Sequence, residues 1–328
     1  MSPATRRLFA TLALVGVAVV WGSTFVMVKD AVSAYPPWSF LGLRFAVATL
    51  AFVALFPSTL KRLTPGALKA GLLAGAFMTA GYVFQTLGLA KTSPSKAAFI
   101  TGMFVVITPL MQALVLRRTP RWTAWVGVAA AVSGLWLLSG GGALGEWNAG
   151  DTLVLLCAVA YSAHMIVLGS VGRGHDTLPL TLVQLATAAV VCGAVGLVAE
   201  RPPLPVGASL WTALLVTGVL ASAVAFAVQT YAQKQLSPTR TALILICEPA
   251  FGGVFGWLWA HEVLGVRGLA GAGLILAGMA ASEVLGVVVR RRDESHVLEP
   301  ALEGPPARLV EPADGGGGAA AENARPEA

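Results

Sequence analysis

The residue with the clearest chemical potential is Glu248, a carboxylate inside the apolar stretch ALILICEPAFGGVFGW. A charge in an apolar environment costs several kcal/mol, so it needs a reason to be there. Pro249 follows directly and lacks a backbone N–H, which frees a carbonyl one turn earlier and predicts a helix break. We expect Glu248 to bind a proton, a cation or an amine. The alternative is a structural carboxylate that pairs with Arg44 or with another polar neighbour.

Two other ionisable side chains, Arg44 and His164, also lie within apolar stretches. His164 is suited to titration near neutral pH, and its alternative is a neutral histidine that is hydrogen-bonded inside the protein. Arg44 has three interpretations: a partner for Glu248, a site for an anionic group, or a side chain that extends outward to water.

The rest of the candidate site consists of polar and aromatic residues that could hydrogen-bond a small solute without a fixed charge. These residues are Trp21, Ser23, Thr24, Gln85, Tyr161 and Gln229. Each of them could equally link neighbouring helices. Pro109 predicts a second helix break, in a different register from the break at Pro249.

Other chemistries lack their signatures in the sequence. The chain has neither a Gly-x-x-x-x-Gly-Lys phosphate loop nor a Gly-x-Ser-x-Gly nucleophile elbow. Its three cysteines lie in apolar stretches, with neither metal-ligand nor disulfide spacing. We therefore expect no cofactor, no metal and no enzyme activity.

The elements that must position these residues are apolar helices. Of the 328 residues, 56% are hydrophobic and 12% are charged, whereas about 25% are charged in a soluble domain. Uncharged stretches long enough to cross a bilayer are 8–28, 70–90, 97–116, 122–145, 177–199 and 202–233. Four more stretches each contain one ionisable residue: Arg44, His164, Glu248 or Glu283. The sequence predicts an all-α polytopic membrane protein with ten transmembrane helices.

The basic residues favour one orientation. Most Lys and Arg residues between the predicted helices fall on the cytoplasmic side when the N-terminus is placed there, which puts both termini in the cytoplasm. We expect the membrane to be the plasma membrane. Because these residues are scattered over short loops, they do not indicate nucleic-acid binding. Residues 290–328 are rich in Pro, Gly, Ala and acidic residues, and we expect them to form a disordered cytoplasmic tail.

An internal repeat divides the chain into residues 1–143 and 144–289. At an offset of 144, Gln85 corresponds to Gln229, Ser93–Pro94 to Ser237–Pro238, Gly127 to Gly271, and Gly134 to Gly278. At an offset of 140, Trp21–Gly22 corresponds to Tyr161–Ser162, Thr24 to His164, and Arg44 to Gln184. The glycine spacing also suggests close packing of the fifth and tenth predicted helices.

Each repeat contains five predicted helices, and because five is odd, the second repeat must cross the membrane in the opposite direction. Inverted repeats are typical of secondary transporters, in which two halves expose a central site to either side in turn. We therefore expect a transporter of a small solute, surrounded by membrane lipid. The alternatives are an intramembrane enzyme acting on a lipid-linked substrate, a passive channel, or a bundle enlarged by duplication.

Three segments resemble the EamA-type members of the drug/metabolite transporter superfamily: VVWGSTFVMVKDAVSAYPPWSFLGLRFAVATL, TSPSKAAFITGMFVVITPL and ALILICEPAFGGVFGWLWAHE. The resemblance extends from Leu8 to about Val289. It implies ten helices in two inverted five-helix repeats, a central cavity with alternating access, and peripheral fifth and tenth helices. It also implies export, with amino acids or related polar compounds as solutes. Coupling to protons is a hypothesis that rests on Glu248 and His164.

Overall fold

The computed structural model describes residues 2–92, 94–139, 147–260 and 265–302, and the regular structure in them is entirely helical. The first repeat contains α1 (Pro3–Ala34), α2 (Pro37–Leu55), α3 (Pro65–Leu89), α4 (Pro94–Gly102), α5 (Phe104–Leu116) and α6 (Trp122–Leu138). The second contains α7 (Ala149–Ser170), α8 (Thr177–Val195), α9 (Ala208–Leu215), α10 (Ala225–Gln235), α11 (Pro238–Leu245), α12 (Glu248–Ala260) and α13 (Val266–Leu302). A π-helical segment, Gly196–Glu200, extends α8, and a second, Val216–Val224, joins α9 to α10. Ser93 and the side chain of Glu283 lie outside the described residues.

Within these residues, seven helices are long and apolar enough to cross a bilayer. They are Pro3–Thr24, Pro37–Leu55, Pro65–Leu89, Phe99–Leu116, Ala149–Gly174, Thr177–Glu200 and Ala208–Gln235. The three other predicted spans are not among the seven. Trp122–Leu138 and Val266–Ser282, the apolar first part of α13, are shorter apolar stretches, and a break divides the ninth predicted span into α11 and α12. The helical class is therefore confirmed, while the described residues do not reach the count of ten.

Several helices begin with the same local chemistry, a hydroxyl residue followed by proline. The side chains of Ser2, Thr64 and Ser237 accept hydrogen bonds from backbone N–H groups in the first turns of α1, α3 and α11. Proline suits the next position because the N–H that it lacks would have no partner within the helix. These caps fix where the helices start, and so the depth of every residue along them.

The second helices of the two repeats, α2 and α8, pack against each other in opposite directions. At one end, the carboxylate of Glu200 accepts hydrogen bonds from the backbone N–H groups of Trp38 at 3.1 Å and Ser39 at 2.8 Å, at the start of α2. At the other end, Arg62 follows α2 and forms an ion pair with Asp176, which caps α8. Because the start of each helix meets the end of the other, the two equivalent helices run antiparallel.

Helices α6 and α13 meet through glycines at equivalent positions of the repeat. A Cβ atom on Gly134 would lie 2.6 Å from the carbonyl oxygen of Gly271, and a Cβ on Gly271 would lie 2.5 Å from that of Gly134. Gly278 faces Ala130 and Gly127 in the same interface. The backbones approach so closely that a side chain at Gly134 or Gly271 would collide with main-chain atoms, as the glycine spacing predicts.

One helix in each repeat is interrupted, and the interruptions occupy equivalent positions. Met103 separates α4 from α5, and Ile246 and Cys247 separate α11 from α12; Met103 and Cys247 are 144 residues apart. Both breaks contain a tightened turn, in which the N–H of Met103 bonds to Ile100 O at 3.1 Å and that of Cys247 to Ile244 O at 3.2 Å.

The prediction of a break at Pro109 is wrong, because Pro109 lies inside α5. Proline removes only one N–H, and a membrane helix tolerates that loss where neighbouring helices surround it. Pro249, by contrast, is the second residue of α12 and directly follows a break, as expected.

The last helix continues from Val266 to Leu302 and so reaches into residues 290–302, the first part of the segment for which the sequence predicts a disordered tail. This stretch contains Arg, Glu, Leu and Ala, which favour helix. The disordered tail stays a prediction. Residues 303–328 lie outside the described residues, and their disorder stays a prediction, as do the repeat boundaries at 143 and 289.

Candidate functional site

A cavity of about 330 Å³ lies between the two repeats and brings most of the candidate residues together. Its polar and aromatic lining comprises Trp21, Thr24, Ser33, Phe40, Arg44, Tyr82, Gln85, Thr86, Thr101, Phe104, Tyr161, His164, Phe226, Gln229 and Glu248. Both repeats contribute to this wall, which mixes aromatic rings, amides and hydroxyls around one acid, one guanidinium and one imidazole. The chamber therefore suits a small polar solute with an apolar part.

The cavity opens at the face where α1 ends and α2 begins, which we call the distal face. Ser33 and Pro37 line it there, together with Leu89 and Ala90 at the end of α3. Ser33 is also exposed at the surface, so the chamber communicates with the outside at this end.

The opposite end, where α1 begins, is closed by hydrogen bonds that we call the N-terminal seal. The side-chain oxygen of Gln112 accepts hydrogen bonds from the backbone N–H of Thr239 at 3.3 Å and its hydroxyl at 3.1 Å. Arg173 donates to the carbonyl oxygens of Gln233 at 3.2 Å and Leu236 at 2.9 Å. Gln112, Gln233 and Thr239 are all buried. These hydrogen bonds hold the helix ends together on the side opposite the distal face.

Glu248 is the first residue of α12, directly after the break, and it lines the cavity. Gly22 lets α1 approach it, because a Cβ at Gly22 would lie 2.8 Å from the carbonyl oxygen of Glu248. A carboxylate is favoured at the positive end of a helix dipole. Within the described part of the chain, no cationic side chain lies within the 4.0 Å of an ion pair with it. Arg44 interacts with this carboxylate electrostatically but not as an ion pair, so the carboxylate oxygens are accessible to a ligand in the cavity.

Arg44 is buried, and its partners come from both repeats. Its Nε donates to the hydroxyl of Ser222 at 2.9 Å, and Nη2 donates weakly to the hydroxyl of Tyr82 at 3.4 Å. Its guanidinium carbon lies 5.0 Å from the centroid of the Tyr82 ring, within range of a cation–π interaction. Ser222 belongs to the π-helical segment before α10. The side chain therefore does not extend outward to water, and it is held at the cavity wall without an ion pair to Glu248.

His164 is buried and makes a hydrogen bond of 2.7 Å between its Nε2 and the side-chain oxygen of Gln184. Gln184 donates from its own nitrogen to Leu180 O at 3.0 Å and to the hydroxyl of Thr230 at 3.3 Å. Because its nitrogen donates elsewhere, its oxygen is the acceptor, which assigns the proton on Nε2 to the histidine. This arrangement fits the alternative of a hydrogen-bonded neutral histidine, although the ring still lines the cavity.

Aromatic rings form a layer across the centre of the cavity. Trp21 packs on Phe226 with ring centroids 5.7 Å apart, and Tyr161 packs on Tyr82 at 5.8 Å. These are equivalent pairs, because Trp21 corresponds to Tyr161 and Tyr82 to Phe226 in the repeat. The Trp21 indole also donates to Ala221 O at 2.8 Å, and Tyr161 donates weakly to the side-chain oxygen of Gln85 at 3.4 Å.

The three remaining polar candidates differ in whether they line the cavity and whether they form hydrogen bonds within their own helix. Gln229 is buried, and its side-chain oxygen has no hydrogen-bond partner in the described structure. The Thr24 hydroxyl lines the cavity but bonds back to Trp21 O at 3.1 Å. Ser23 bonds back to Val20 O at 2.8 Å and does not line the cavity. The structure therefore groups every candidate side chain except that of Ser23 and the two prolines.

The sequence analysis missed four residues that shape this site: Tyr82, Phe104, Phe226 and Ser222. Tyr82 and Phe226 each precede a recognised glutamine by three residues, so the repeat at an offset of 144 would have found them. Phe104 is the repeat equivalent of Glu248, and both line the cavity. Ser222 had no signal, because its role arises from a contact with Arg44 across 178 residues of sequence.

No group of three or more His, Cys, Asp or Glu side chains that could hold a metal ion occurs among the described residues. The cysteines Cys157, Cys192 and Cys247 are buried and free. They act as small core residues, as expected.

Comparison with known proteins identifies a matching family and several similar transporters. A family model described as the EamA-like transporter family matches residues 8–140 and 148–282. An uncharacterized transporter of Archaeoglobus fulgidus is 31% identical over 271 residues, which cover 83% of this chain and 84% of the relative. The S-adenosylmethionine/S-adenosylhomocysteine transporter of Chlamydia trachomatis is 25% identical over 264 residues, covering 75% and 80%.

A solved crystal structure shares the fold. It superposes with a TM-score of 0.73 at 19% sequence identity, covering 84% of this chain and 98% of that one. The two matched segments of the family model coincide with the two repeats read from the sequence.

Proposed function

Because the chain belongs to the EamA-like transporter family, we propose that it is a secondary transporter that carries a small polar solute across the plasma membrane by alternating access. In this proposal ten transmembrane helices form two inverted repeats of five. The observation that carries it is a central cavity with a carboxylate that has no ion-pair partner in the described structure, open at the distal face and closed at the N-terminal seal.

The repeat supplies the mechanism of alternation. If the two repeats exchange conformations, the contacts that Arg173 makes in the N-terminal seal have equivalents at the distal face. Arg173 corresponds to Ser33, Gln233 to Leu89, and Leu236 to Thr92. In the alternate state, Ser33 approaches the end of α3 and closes the distal face, while Arg173 leaves the end of α10. With both termini in the cytoplasm, the conformation described is the outward-open one.

Glu248 is the residue on which coupling rests in this proposal. A carboxylate at the cavity wall must be compensated by a proton, a cation or a charged group of the solute whenever the cavity closes around it. Proton coupling, with export as the direction, follows if Glu248 takes up a proton in one state and releases it in the other. His164 is a weaker candidate, because its hydrogen bond to Gln184 is already satisfied.

The solute class is the part of the proposal to be screened. The chamber combines one acid, one fixed guanidinium, amides and aromatic faces, which suits amino acids and related polar compounds. The solutes named for the chlamydial relative, S-adenosylmethionine and S-adenosylhomocysteine, carry the same kinds of group and belong in the screen.

The test is flux in proteoliposomes that contain the purified full-length chain. We expect saturable uptake and counterflow of at least one solute, and Glu248→Gln should remove its dependence on the pH gradient. Gly273→Ala is the matched control, because that position has no neighbouring atom within 4 Å. Flux that rises linearly with concentration without counterflow would indicate a channel and overturn the proposal.

A further inference from the structure

Three oxygen acceptors in the cavity lack their ordinary partners. The carbonyl of Leu245, at the end of α11, would normally accept from the N–H four residues on, but that residue is Pro249, which has none. The carboxylate of Glu248 has no ion-pair partner in the described structure. The side-chain oxygen of Gln229 is buried with no hydrogen-bond partner among the described residues.

These three residues belong to one wall of one chamber. Leu245 and Glu248 lie on the two sides of the break between α11 and α12, and Gln229 lies on α10, which contacts α11. All three line the cavity. A buried polar atom without a partner costs about 1–3 kcal/mol, so a cationic group that satisfies the Gln229 oxygen is favoured in the chamber that Glu248 and Leu245 also line.

The end of α11 also favours a positively charged group at this position. The C-terminal end of α11 carries the negative end of its dipole, and an unwound carbonyl at such an end is a ligand for cations in broken membrane helices. The ligand set here is a carboxylate, a backbone carbonyl and an amide oxygen. One carboxylate with two neutral oxygens balances a single positive charge, so this set suits a monovalent cation or an ammonium group.

We infer that the break between α11 and α12 is a binding site for a small monovalent cationic group, held by the Glu248 carboxylate, the Leu245 carbonyl and the Gln229 side-chain oxygen. The group is either a free alkali cation or the primary ammonium of the solute. The inference rests on the proposed function for its biological use, but cation binding stands without transport. The cation binds the same Glu248 carboxylate on which the proposed function bases proton coupling. Protons and the cation therefore compete for this carboxylate.

The experiment measures binding in the absence of flux and of solute. The purified full-length chain is heated in chloride salts of sodium, potassium, methylammonium or N-methylglucamine at equal ionic strength, and unfolding is followed by tryptophan fluorescence. A ligand that binds the folded state raises the midpoint temperature saturably. We expect such a rise with an alkali ion or with methylammonium, relative to the bulky N-methylglucamine, and a weaker effect at acidic pH.

Variants identify the site. Glu248→Gln should abolish the rise, Glu248→Asp should weaken it, and Gln229→Leu should lower the apparent affinity roughly tenfold, as expected for one bond to a charged group. Gln235→Leu is the matched comparison, because Gln235 lies on α10 like Gln229 but is not among the residues that line the cavity. It should keep the cation affinity. Size-exclusion profiles confirm that each variant is folded.

Comparing the salts distinguishes a free alkali ion from the ammonium group of a solute. The binding measurement also tests the cation site separately from the transport proposal. A rise with sodium or potassium assigns a free ion, and a rise with methylammonium alone assigns an ammonium group of the solute. The inference is overturned if no salt differs from N-methylglucamine, or if Glu248→Gln responds like the parent chain. Either result leaves the transport proposal standing, whereas a lack of flux would not affect the binding measurement.

Discussion

The rings of Tyr82 and Phe226, which occupy equivalent positions of the two repeats, contact each other with centroids 6.1 Å apart and planes inclined at 66°. A residue and its own repeat equivalent can touch only close to the axis that relates the repeats. The flanking contacts of Trp21 and Tyr161 obey the same relation, with nearly equal distances. The centre of the cavity therefore coincides with the pseudo-symmetry axis, where both halves must move together.

Tyr82 should matter mainly through its ring. Tyr82→Phe keeps the aromatic contacts and loses only the weak hydrogen bond with Arg44, so we expect nearly unchanged stability. Tyr82→Ala leaves a cavity that costs about 3 kcal/mol, and it should lower the thermal midpoint and the solute affinity together. Thermal unfolding and equilibrium binding of a screened solute check this. Equal losses in both variants would show that the hydroxyl, and not the ring, is decisive.

Arg44 should not be replaceable by lysine. Lysine has no Nε donor, so Arg44→Lys leaves the buried hydroxyl of Ser222 without its 2.9 Å partner and should cost about 1–3 kcal/mol of unfolding free energy. A double-mutant cycle with Ser222→Ala measures the coupling directly. We expect an interaction energy of about 0.5–3 kcal/mol. Strict additivity of the two single variants would contradict the assignment.

The glycine contact between α6 and α13 should be intolerant of side chains. Gly134→Leu forces the backbones apart, since even its Cβ would lie 2.6 Å from Gly271 O, and overpacking of this kind costs about 1–3 kcal/mol. The matched control is Gly273→Ala on α13, where nothing lies within 4 Å. Unfolding in detergent should separate the two variants clearly. If both behave alike, the close approach has no energetic role.

Cysteine labelling should report which face is open. Ser33→Cys, at the mouth of the cavity, is expected to react quickly with a membrane-impermeant maleimide from the distal side. Gln233→Cys lies in the N-terminal seal, is fully buried and should react slowly from either side. The native cysteines are buried and contribute little background. Solute that drives alternation should slow Ser33→Cys and speed Gln233→Cys, and labelling that is indifferent to solute would argue against exchange between the repeats.

Only some residues of the candidate site could be predicted from the sequence. Glu248 stood out because a charge among apolar residues is conspicuous, and Gln85 and Gln229 because the repeat aligned them. Ser23 was grouped with them because a hydroxyl can hydrogen-bond a small solute, yet this hydroxyl bonds back to Val20 within its own helix. Apolar residues give no compositional signal, because nearly every residue in a membrane helix is apolar, and Phe226 could be found only through its alignment with Tyr82 in the repeat.

The sequence by itself determined that the protein is helical, apolar and built from two copies of one unit, because lipid permits little else and because a repeat is visible wherever its spacing is kept. It also located the break beside Glu248, since proline removes a known hydrogen bond. Only the tertiary structure decided that the other break falls at Met103 rather than Pro109, and that Arg44 is held by Ser222 and Tyr82. Those outcomes depend on contacts between residues far apart in the chain, which no local pattern encodes.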